Sequence, residues 1–369
     1  MASLRPLPRL LHPAAWWLWG VGMAVAASRT TNPFLLVLIV AVVGWVVLQR
    51  REIGATNAFW PFLVIGLFAI GLRIVMVTLL GGGVSGRVVL FRLPEVPLPD
   101  WSSSSLRLGG AVTLEGLLAA VYEGMRLTAI LACLGATNAL ASPRRLLRYV
   151  PATLYEVGTA VVVALTFAPQ LVDDARRVRT ARRLRGHPSK GVTDVGRLAV
   201  PVLVGALDRS LVLAASMESR GYGRLVQRPT SSTRTAAALT LVGLTGVVVG
   251  LYGLMDGSSP VVLGAPMLFA GVLCAVAALA VGARHDARSH YRRDRWGGPE
   301  WLAIAAGFVP AAGMVIASTR GWAGVVPVQV PVHLPDVPLV LVALIAVGAL
   351  AGVFTPLPPG LARQREAAP

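Results

Sequence analysis

Apolar residues in this chain come in long unbroken runs, without the alternation of polar and apolar positions that marks a half-buried strand. Most of these runs approach the ~20 residues that a helix needs to cross the hydrocarbon core of a bilayer. Eight candidate spans are identified in this way: 14–28, 33–49, 59–80, 112–140, 237–255, 261–283, 300–317 and 337–355. The pattern predicts an all-α, polytopic membrane protein.

The first two runs predict a tight helical hairpin. They are joined by RTTN, where Asn32 can cap the second helix and Pro33 can occupy its first position. Arg5 and Arg9 precede the first run, and AVAAS ends it, which also resembles a secretory signal. A second span follows after four residues, and the tryptophans within 16–19 suit a membrane interface, so a retained span is favoured.

Composition supports the membrane class and excludes several functions. Hydrophobic residues make up 55% of the chain and charged residues 14%, against about 25% charged in soluble domains. The net charge of +17 comes from basic residues between the spans, which indicates membrane topology and no nucleic-acid partner. Lys190 is the single lysine and lies in PSKGV, so the chain has no phosphate-binding P-loop. Cys133 and Cys274 are expected to be free thiols, and we expect no metal site and no cofactor.

The distribution of arginine predicts which loops lie inside. If residues 143–222 do not cross the membrane, both termini and the loops at 50–58, 141–235 and 284–298 are cytoplasmic. Residues 143–228 then place fourteen arginines and one lysine against six acids on the inner side, as the positive-inside rule requires. The proline-rich 82–111 loop, expected to be extended, lies outside with a similar HLPDVPL stretch at 333–339.

Residues 151–171 are apolar enough to be a further span. A single crossing there would turn six arginines between 176 and 185 outward, so we expect this stretch to lie in or under the inner leaflet. The predicted division is an N-terminal membrane domain at 1–142, a cytoplasmic coupling module at 143–228 and a C-terminal membrane domain at 229–369. The localisation predicted for such a chain is the plasma membrane.

Two consecutive helices of the central module are predicted to end in the same way. Asp173 and Asp174 would open the first, which ends at Arg185 and Gly186, while the second runs from about 192 to 220 and ends before Gly221. An arginine in the last turn suits the helix dipole, and the glycine after it permits a left-handed stop. A Ser142-Pro143 start ahead of RRLLRYV predicts a short basic helix on the inner surface.

Four ionisable residues fall within the third and fourth spans, where charges are costly and often functional. They are Arg73, Glu115, Glu123 and Arg126. Glu123 and Arg126 are three residues apart and can pair on one helix face. A structural ion-pair cluster is the favoured interpretation, with a partner-subunit surface or a solute or proton path as alternatives. His285, Asp286 and His290 are interpreted as a solvated loop, since no further metal ligands surround them.

The segments ARRLRG and SMESRGYG, preceded by ASPRRLLRYVP and by an N-terminal hairpin with TTNP, resemble the transmembrane T component of energy-coupling factor transporters, the CbiQ/EcfT family. The resemblance covers residues 10–255 and leaves 256–369 as an extension. It implies that two short motifs dock two ABC ATPase subunits. The matching residues are Arg182, Arg185, Gly186, Arg220 and Gly221. Leu184 and Ser219 stand where the family often has alanine, and Arg182 stands where it often has glutamine.

The function implied by this resemblance is that of a non-catalytic coupling subunit. It would transmit ATP-driven motion to a small substrate-binding membrane subunit, for uptake of a vitamin or a transition-metal ion. The alternative is a secondary transporter that binds its own solute. Motifs for hydrolase or metalloprotease chemistry are missing from the sequence, so we do not expect an enzyme.

Overall fold

The computed structural model describes most of the chain. The described residues are 9–52, 58–80, 86, 88–97, 107–141, 143–146, 155–186, 193–222, 230–255, 260–283, 296–327 and 333–358. They form helices α1 Pro13–Ser28, α2 Pro33–Arg50, α3 Phe59–Leu80, α4 Leu114–Leu140, α5 Pro143–Leu146, α6 Tyr155–Leu184, α7 Thr193–Ser219, α8 Thr230–Met255, α9 Ala265–Ala283, α10 Gly298–Thr319, α11 Leu339–Ala346 and α12 Leu350–Phe354. Strands β1 Val89–Pro97 and β2 Arg107–Thr113 lie between α3 and α4.

The prediction of a polytopic, all-α membrane protein is confirmed. Eight helices in the described part are long and apolar enough to cross a membrane: α2, α3, α4, α6, α7, α8, α9 and α10. The last apolar run is shorter, because a 3-10 turn at Val347–Ala349 separates α11 from α12. The set includes α6 and α7, which the arginine distribution had assigned to the inner side, and it leaves out the predicted span at 14–28, because α1 has only 16 residues.

Contacts divide the chain into two compact units, one of residues 1–146 and 292–369 and one of 147–291. The predicted three-part division rested on the side of the membrane and stays a prediction. In the first unit, α1 and α2 bury a row of large side chains: Trp19, Met23, Leu35, Leu36 and Ile39. Helix α1 packs against α4 and α10.

Small residues let the helices of the first unit approach closely. A Cβ on Gly22 would meet the backbone of Gly307, and a Cβ on Gly20 would meet the side chain of Thr137. In a membrane protein, such contacts between small residues supply much of the packing between helices. The sequence beyond residue 256, predicted only as an extension, thus contributes α10 to the packing around α1.

Polar groups tie the C-terminal segment to the first helical hairpin. Asn32 caps α2 as predicted, accepting from the Phe34 N–H at 3.1 Å, and its Nδ2 donates to the carbonyls of Gly324 at 2.7 Å and Asp336 at 2.8 Å. Trp19 Nε1 donates to the Gly348 carbonyl at 3.2 Å. Buried polar groups need such partners, so α10 to α12 and the described residues between them contribute to the core of this unit.

An ion pair adds to this attachment near the start of α1. Arg9 donates from Nη2 to Glu300 Oε2 at 2.9 Å, and the Glu300 side chain is fully buried. The same carboxylate oxygen accepts from the Gly297 N–H at 3.0 Å, which fixes the first turn of α10. At the end of α2, Arg50 donates from Nε to the Gly352 carbonyl at 2.8 Å.

Part of the loop predicted at 82–111 is a two-stranded antiparallel sheet of β1 and β2. The prediction of extended backbone was correct, but the pairing of the two strands was missed. Thr113 ends β2 and caps α4, since its hydroxyl accepts from the Gly116 N–H at 3.1 Å. The two similar proline-rich stretches make different contacts. Residues 93–97 of the first belong to β1, whereas the second, at 333–339, includes the Asp336 carbonyl bound by Asn32.

The second unit contains two helical pairs. Helices α8 and α9 pack along their length, with the Gly246 and Gly271 backbones in close approach. Helices α6 and α7 contact each other over a short stretch. The prediction that Asp173 and Asp174 open a helix is wrong, because both lie inside the continuous α6. The apolar residues before them extend the helix through Pro169, which removes only one backbone donor.

Candidate functional site

Helix α6 ends at the first predicted docking motif. Gly186 adopts a left-handed conformation with φ of +79°, and its N–H donates to the Arg183 carbonyl at 3.1 Å. The Arg185 N–H donates to the carbonyls of Ala181 at 3.2 Å and Arg182 at 3.1 Å. The glycine is needed here because a Cβ opposes this φ. The helix therefore stops sharply and leaves Arg185 at its tip.

Helix α7 ends with the same geometry at the second motif. Gly221 also has φ of +79°, and its N–H donates to the Glu218 carbonyl at 2.8 Å. The next N–H, that of Tyr222, donates to the Met217 carbonyl at 3.0 Å. These two bonds define a Schellman motif with Gly221 at the left-handed position. Arg220 is the last residue before that glycine, as Arg185 is in α6.

Both motif arginines are exposed, and an apolar neighbour is exposed beside the first. Leu184 is 84% exposed at the end of α6. Arg182, one turn earlier, is half-buried. The tip of α6 therefore presents a guanidinium and an aliphatic side chain at adjacent positions.

An ion pair joins α6 and α7 at their crossing. Arg209 on α7 donates from Nη2 to Asp174 Oδ2 on α6. Asp174 lies eleven residues before Arg185, and Arg209 lies eleven residues before Arg220. At ~1.5 Å per residue, each arginine is about 16 Å along its helix from the ion pair. The two helix ends beyond the crossing are therefore equal in length, and neither contains proline.

The same helix ending occurs a third time, in α10, which sequence reasoning missed. Gly321 has φ of +63°, its N–H donates to the Ser318 carbonyl at 3.3 Å, and the Trp322 N–H donates to the Ala317 carbonyl at 2.9 Å. Arg320 precedes this glycine. An Arg-Gly helix ending is thus a general stop signal in this chain. What sets α6 and α7 apart is that their two endings belong to neighbouring helices joined by an ion pair.

Three of the four predicted intramembrane charges lie in one cleft between α3 and α4. The cleft has a volume of about 420 Å³, and Arg73, Glu123 and Arg126 line it together with apolar residues. Arg126 Nη2 donates to Glu123 Oε2 at 2.7 Å, so the expected contact within α4 is present. Glu115 lies apart from them, two turns earlier in α4, where its carboxylate accepts from the Val88 N–H at 3.2 Å. A Cβ at position 86 would overlap the Glu115 side chain, so the glycine there makes room for it.

No metal centre is identified in the part of the chain that the structure describes. His285, Asp286 and His290 lie outside the described residues. Cys133 and Cys274 are free thiols, the first buried and the second half-buried in membrane helices.

Sequence comparisons show that the chain is similar to transporter components. The sequence model of the cobalt transport protein family CbiQ matches residues 7–231, more than half of the chain. A relative from Limosilactobacillus fermentum is the energy-coupling factor transporter transmembrane protein EcfT; it is 28% identical over 225 residues, covering 58% of this chain and 78% of the relative.

Two further relatives carry the same name. The protein from Leuconostoc gelidum is 31% identical over 133 residues, and the one from Thermanaerovibrio acidaminovorans is 33% identical over 138 residues; each alignment covers 32% of this chain. This chain spans about half the length of these two relatives, 50% and 51%. No solved structure matches the chain. The chain is a multi-pass membrane protein that belongs to the CbiQ/EcfT family, the transmembrane components of energy-coupling factor transporters.

Proposed function

We propose that this chain couples ATP hydrolysis by two separate ABC ATPase subunits to transport by a substrate-binding membrane subunit. In this proposal, Arg185 and Gly186 dock one ATPase, and Arg220 and Gly221 dock the other. Arg182 contributes to the first docking site from one turn earlier. The observation that carries the proposal is the pair of exposed arginines at matched, sharply ended helices joined by the Asp174–Arg209 ion pair.

The chemistry of the helix tips supports a protein partner with acidic grooves. A guanidinium stays charged at every physiological pH and binds carboxylates through two parallel hydrogen bonds. Leu184 adds an exposed apolar contact beside Arg185, so the first tip offers both charge and apolar area. Because the chain has no P-loop lysine, nucleotide must be bound by another polypeptide.

Transmission of motion follows from the crossing of the two helices. When ATP closes the two ATPases, the docked tips of α6 and α7 are moved toward each other. The ion pair holds the helices together at one point, so displacement of the tips becomes rotation about that point. The equal lengths from the ion pair to Arg185 and Arg220 make the two displacements equivalent. The parts of α6 and α7 on the other side of the crossing carry the rotation to the membrane subunit.

The cargo of such a system is chosen by the substrate-binding subunit, and we propose uptake of a vitamin or a transition-metal ion. The orientation that supports coupling has both termini and the tips of α6 and α7 in the cytoplasm. It is supported by the excess of arginine in residues 143–228, following the positive-inside rule.

Docking is tested by reversing the charge of both tips. We expect Arg185→Glu with Arg220→Glu to abolish co-purification of the two ATPase subunits, since carboxylates would then face carboxylates. Arg320→Glu is the matched control, because it alters the same kind of helix ending in α10 and leaves α6 and α7 unchanged. Retention of both ATPases by the double variant would contradict the proposal. Binding of solute by the purified chain alone would favour a secondary transporter.

Sidedness is tested by labelling single cysteines in intact cells, after Cys133→Ala and Cys274→Ala remove the natural thiols. Leu184→Cys should resist an impermeant maleimide, whereas Trp322→Cys, after the end of α10, should react. Both positions are exposed, so a difference in labelling reports the side of the membrane. Labelling of Leu184→Cys from outside would overturn the proposed orientation.

A further inference from the structure

The cleft between α3 and α4 carries charges on the outside of the first unit. Glu123 and Arg126 are 34% and 37% exposed, and Arg73 is exposed on the facing helix. Ionisable groups in membrane helices normally face a bundle interior or a water-filled cavity, because hydrocarbon solvates them poorly. An open cleft with three such groups therefore needs a cover in the assembled membrane protein.

Counting the carboxylates shows that Arg73 has no acid available within these helices. Outside α6 and α7, the described membrane helices contain three acids, namely Glu115, Glu123 and Glu300. Glu115 binds the Val88 N–H, Glu123 pairs with Arg126, and Glu300 pairs with Arg9. Arg73 makes no hydrogen bond or ion pair with any described residue. The cleft keeps a net charge of +1, which a single carboxylate from another chain would neutralise.

The depth of Arg73 favours a protein carboxylate over a lipid phosphate. Arg73 lies seven residues before Leu80, the end of α3, which is about 10 Å along the axis. Helical side chains tilt toward the helix N-terminus. For Arg73 that direction is toward Phe59, away from the nearer end of the helix. The direction of the Cα–Cβ bond therefore opposes snorkelling to the nearer headgroups, which favours a partner group within the bilayer.

The shape of the cleft suits a helix. Its floor includes Gly124, where the backbone of α4 lies close to Ile70 of α3. Its rim is apolar and exposed, with Leu72 at 47%, Met76 at 40% and Leu127 at 47% exposure. Inside a bilayer, charged side chains of membrane helices pair with one another, so a charged group among exposed apolar residues favours a partner helix that brings the opposite charge.

We propose that this cleft receives a transmembrane helix of the substrate-binding subunit, and that a carboxylate on that helix pairs with Arg73. The inference rests on the proposed function, because it assumes the membrane partner. The substrate-binding subunit would then contact α3 and α4 within the bilayer, in addition to any contact with α6 and α7. Arg73 then selects the partner by charge, and the apolar rim supplies the packing.

The test is co-purification of the four-component complex in which this chain carries Arg73→Ala. We expect the ratio of membrane subunit to ATPases to fall at least about tenfold, a loss of ~1.4 kcal/mol of binding free energy. ATPase binding should be unchanged. Thr78→Ala, five residues along the same helix, is the matched control, since Thr78 bonds only within α3 to the Ile74 carbonyl. Arg73→Lys should retain part of the binding.

Several outcomes separate this inference from the proposed function. Failure of the unaltered chain to bind ATPases would contradict the proposed function, whereas an unchanged subunit ratio in Arg73→Ala would overturn the cleft proposal alone. If Arg73→Ala lost bound anionic phospholipid and kept the membrane subunit, the cleft would be a lipid site and the proposal would be wrong. A photo-crosslinker at Leu127 should capture the membrane subunit, and one at the exposed Leu302 of α10 should not. Equal capture at both positions would contradict the assignment.

Discussion

Asp174 and Arg209 form the ion pair that joins α6 to α7, and each lies eleven residues before an arginine that ends its helix. Their side chains are 20% and 38% exposed, so the pair is shielded on one helix and partly solvated on the other. Such a pair adds modestly to stability, about 1 kcal/mol or less. Its importance lies in its position, because it joins the two helices at the point where they cross.

Breaking this pair should uncouple transport from ATP hydrolysis. We expect Asp174→Ala or Arg209→Ala to lower substrate uptake several-fold while the ATPases still co-purify, since the tips remain intact. The exchange of Asp174→Arg with Arg209→Asp should restore part of the uptake. Asp173→Ala removes the neighbouring exposed carboxylate, whose contact with Arg176 is 3.6 Å, and serves as the control. Equal loss in that control would argue against a special role for the crossing pair.

Much of the membrane fold could be predicted from apolar runs because the chain marks their ends. Asn32 and Pro33 begin α2 as expected, and the ends of α1, α3 and α4 agree with the predicted runs within about two residues, the usual uncertainty of helix ends. Gly186 and Gly221 have the left-handed φ that the Arg-Gly sequences predicted. These features are local, so a few neighbouring residues determine them.

Other features depended on contacts that no local pattern contains. Asp173 and Asp174 read as a helix start, yet one of them faces Arg209 from the middle of α6. The Arg-Gly sequences predicted two docking sites, whereas Arg320 and Gly321 show the same helix ending elsewhere. The binding of Asn32 to carbonyls about 300 residues away was not predictable, because backbone carbonyls are the same at every residue.

The side chain of Asn32 should matter more than an ordinary helix cap. Asn32→Ala removes the cap and two donors to buried carbonyls, so we expect a loss of about 2 to 3 kcal/mol in unfolding free energy. The matched control is Asn138→Ala, because Asn138 bonds only to the Leu134 carbonyl of its own helix at 3.2 Å. Thermal unfolding in detergent measures both variants. A similar small loss in the two would show that the bonds to Gly324 and Asp336 contribute little.

Close packing of α1 on α10 should be sensitive to a single methyl group. A Cβ on Gly22 would overlap the Gly307 backbone, which cannot move as a side chain can. We expect Gly22→Ala to destabilise the protein by about 1 to 3 kcal/mol through overpacking. Gly71→Ala in α3 meets nothing within 4 Å and should be neutral or stabilising by up to ~1 kcal/mol. If both variants unfold at the same temperature, the contact is looser than described.

The C-terminal helices should be required for the folding of the family-like part of the chain. The family match ends at residue 231, yet Trp19, Asn32 and Arg50 all bond to groups beyond residue 320. Deleting residues 292–369 would remove the carbonyls that accept these hydrogen bonds and expose the face of α1 that packs on α10. We expect the truncated chain to aggregate or be degraded in membranes, and co-expression of 292–369 as a separate segment to restore part of its yield. Deleting only 359–369 is the control and should have little effect. A monodisperse truncated chain with unchanged thermal stability would contradict this prediction. It would mean that α1, α2 and α4 form a stable core without the C-terminal helices.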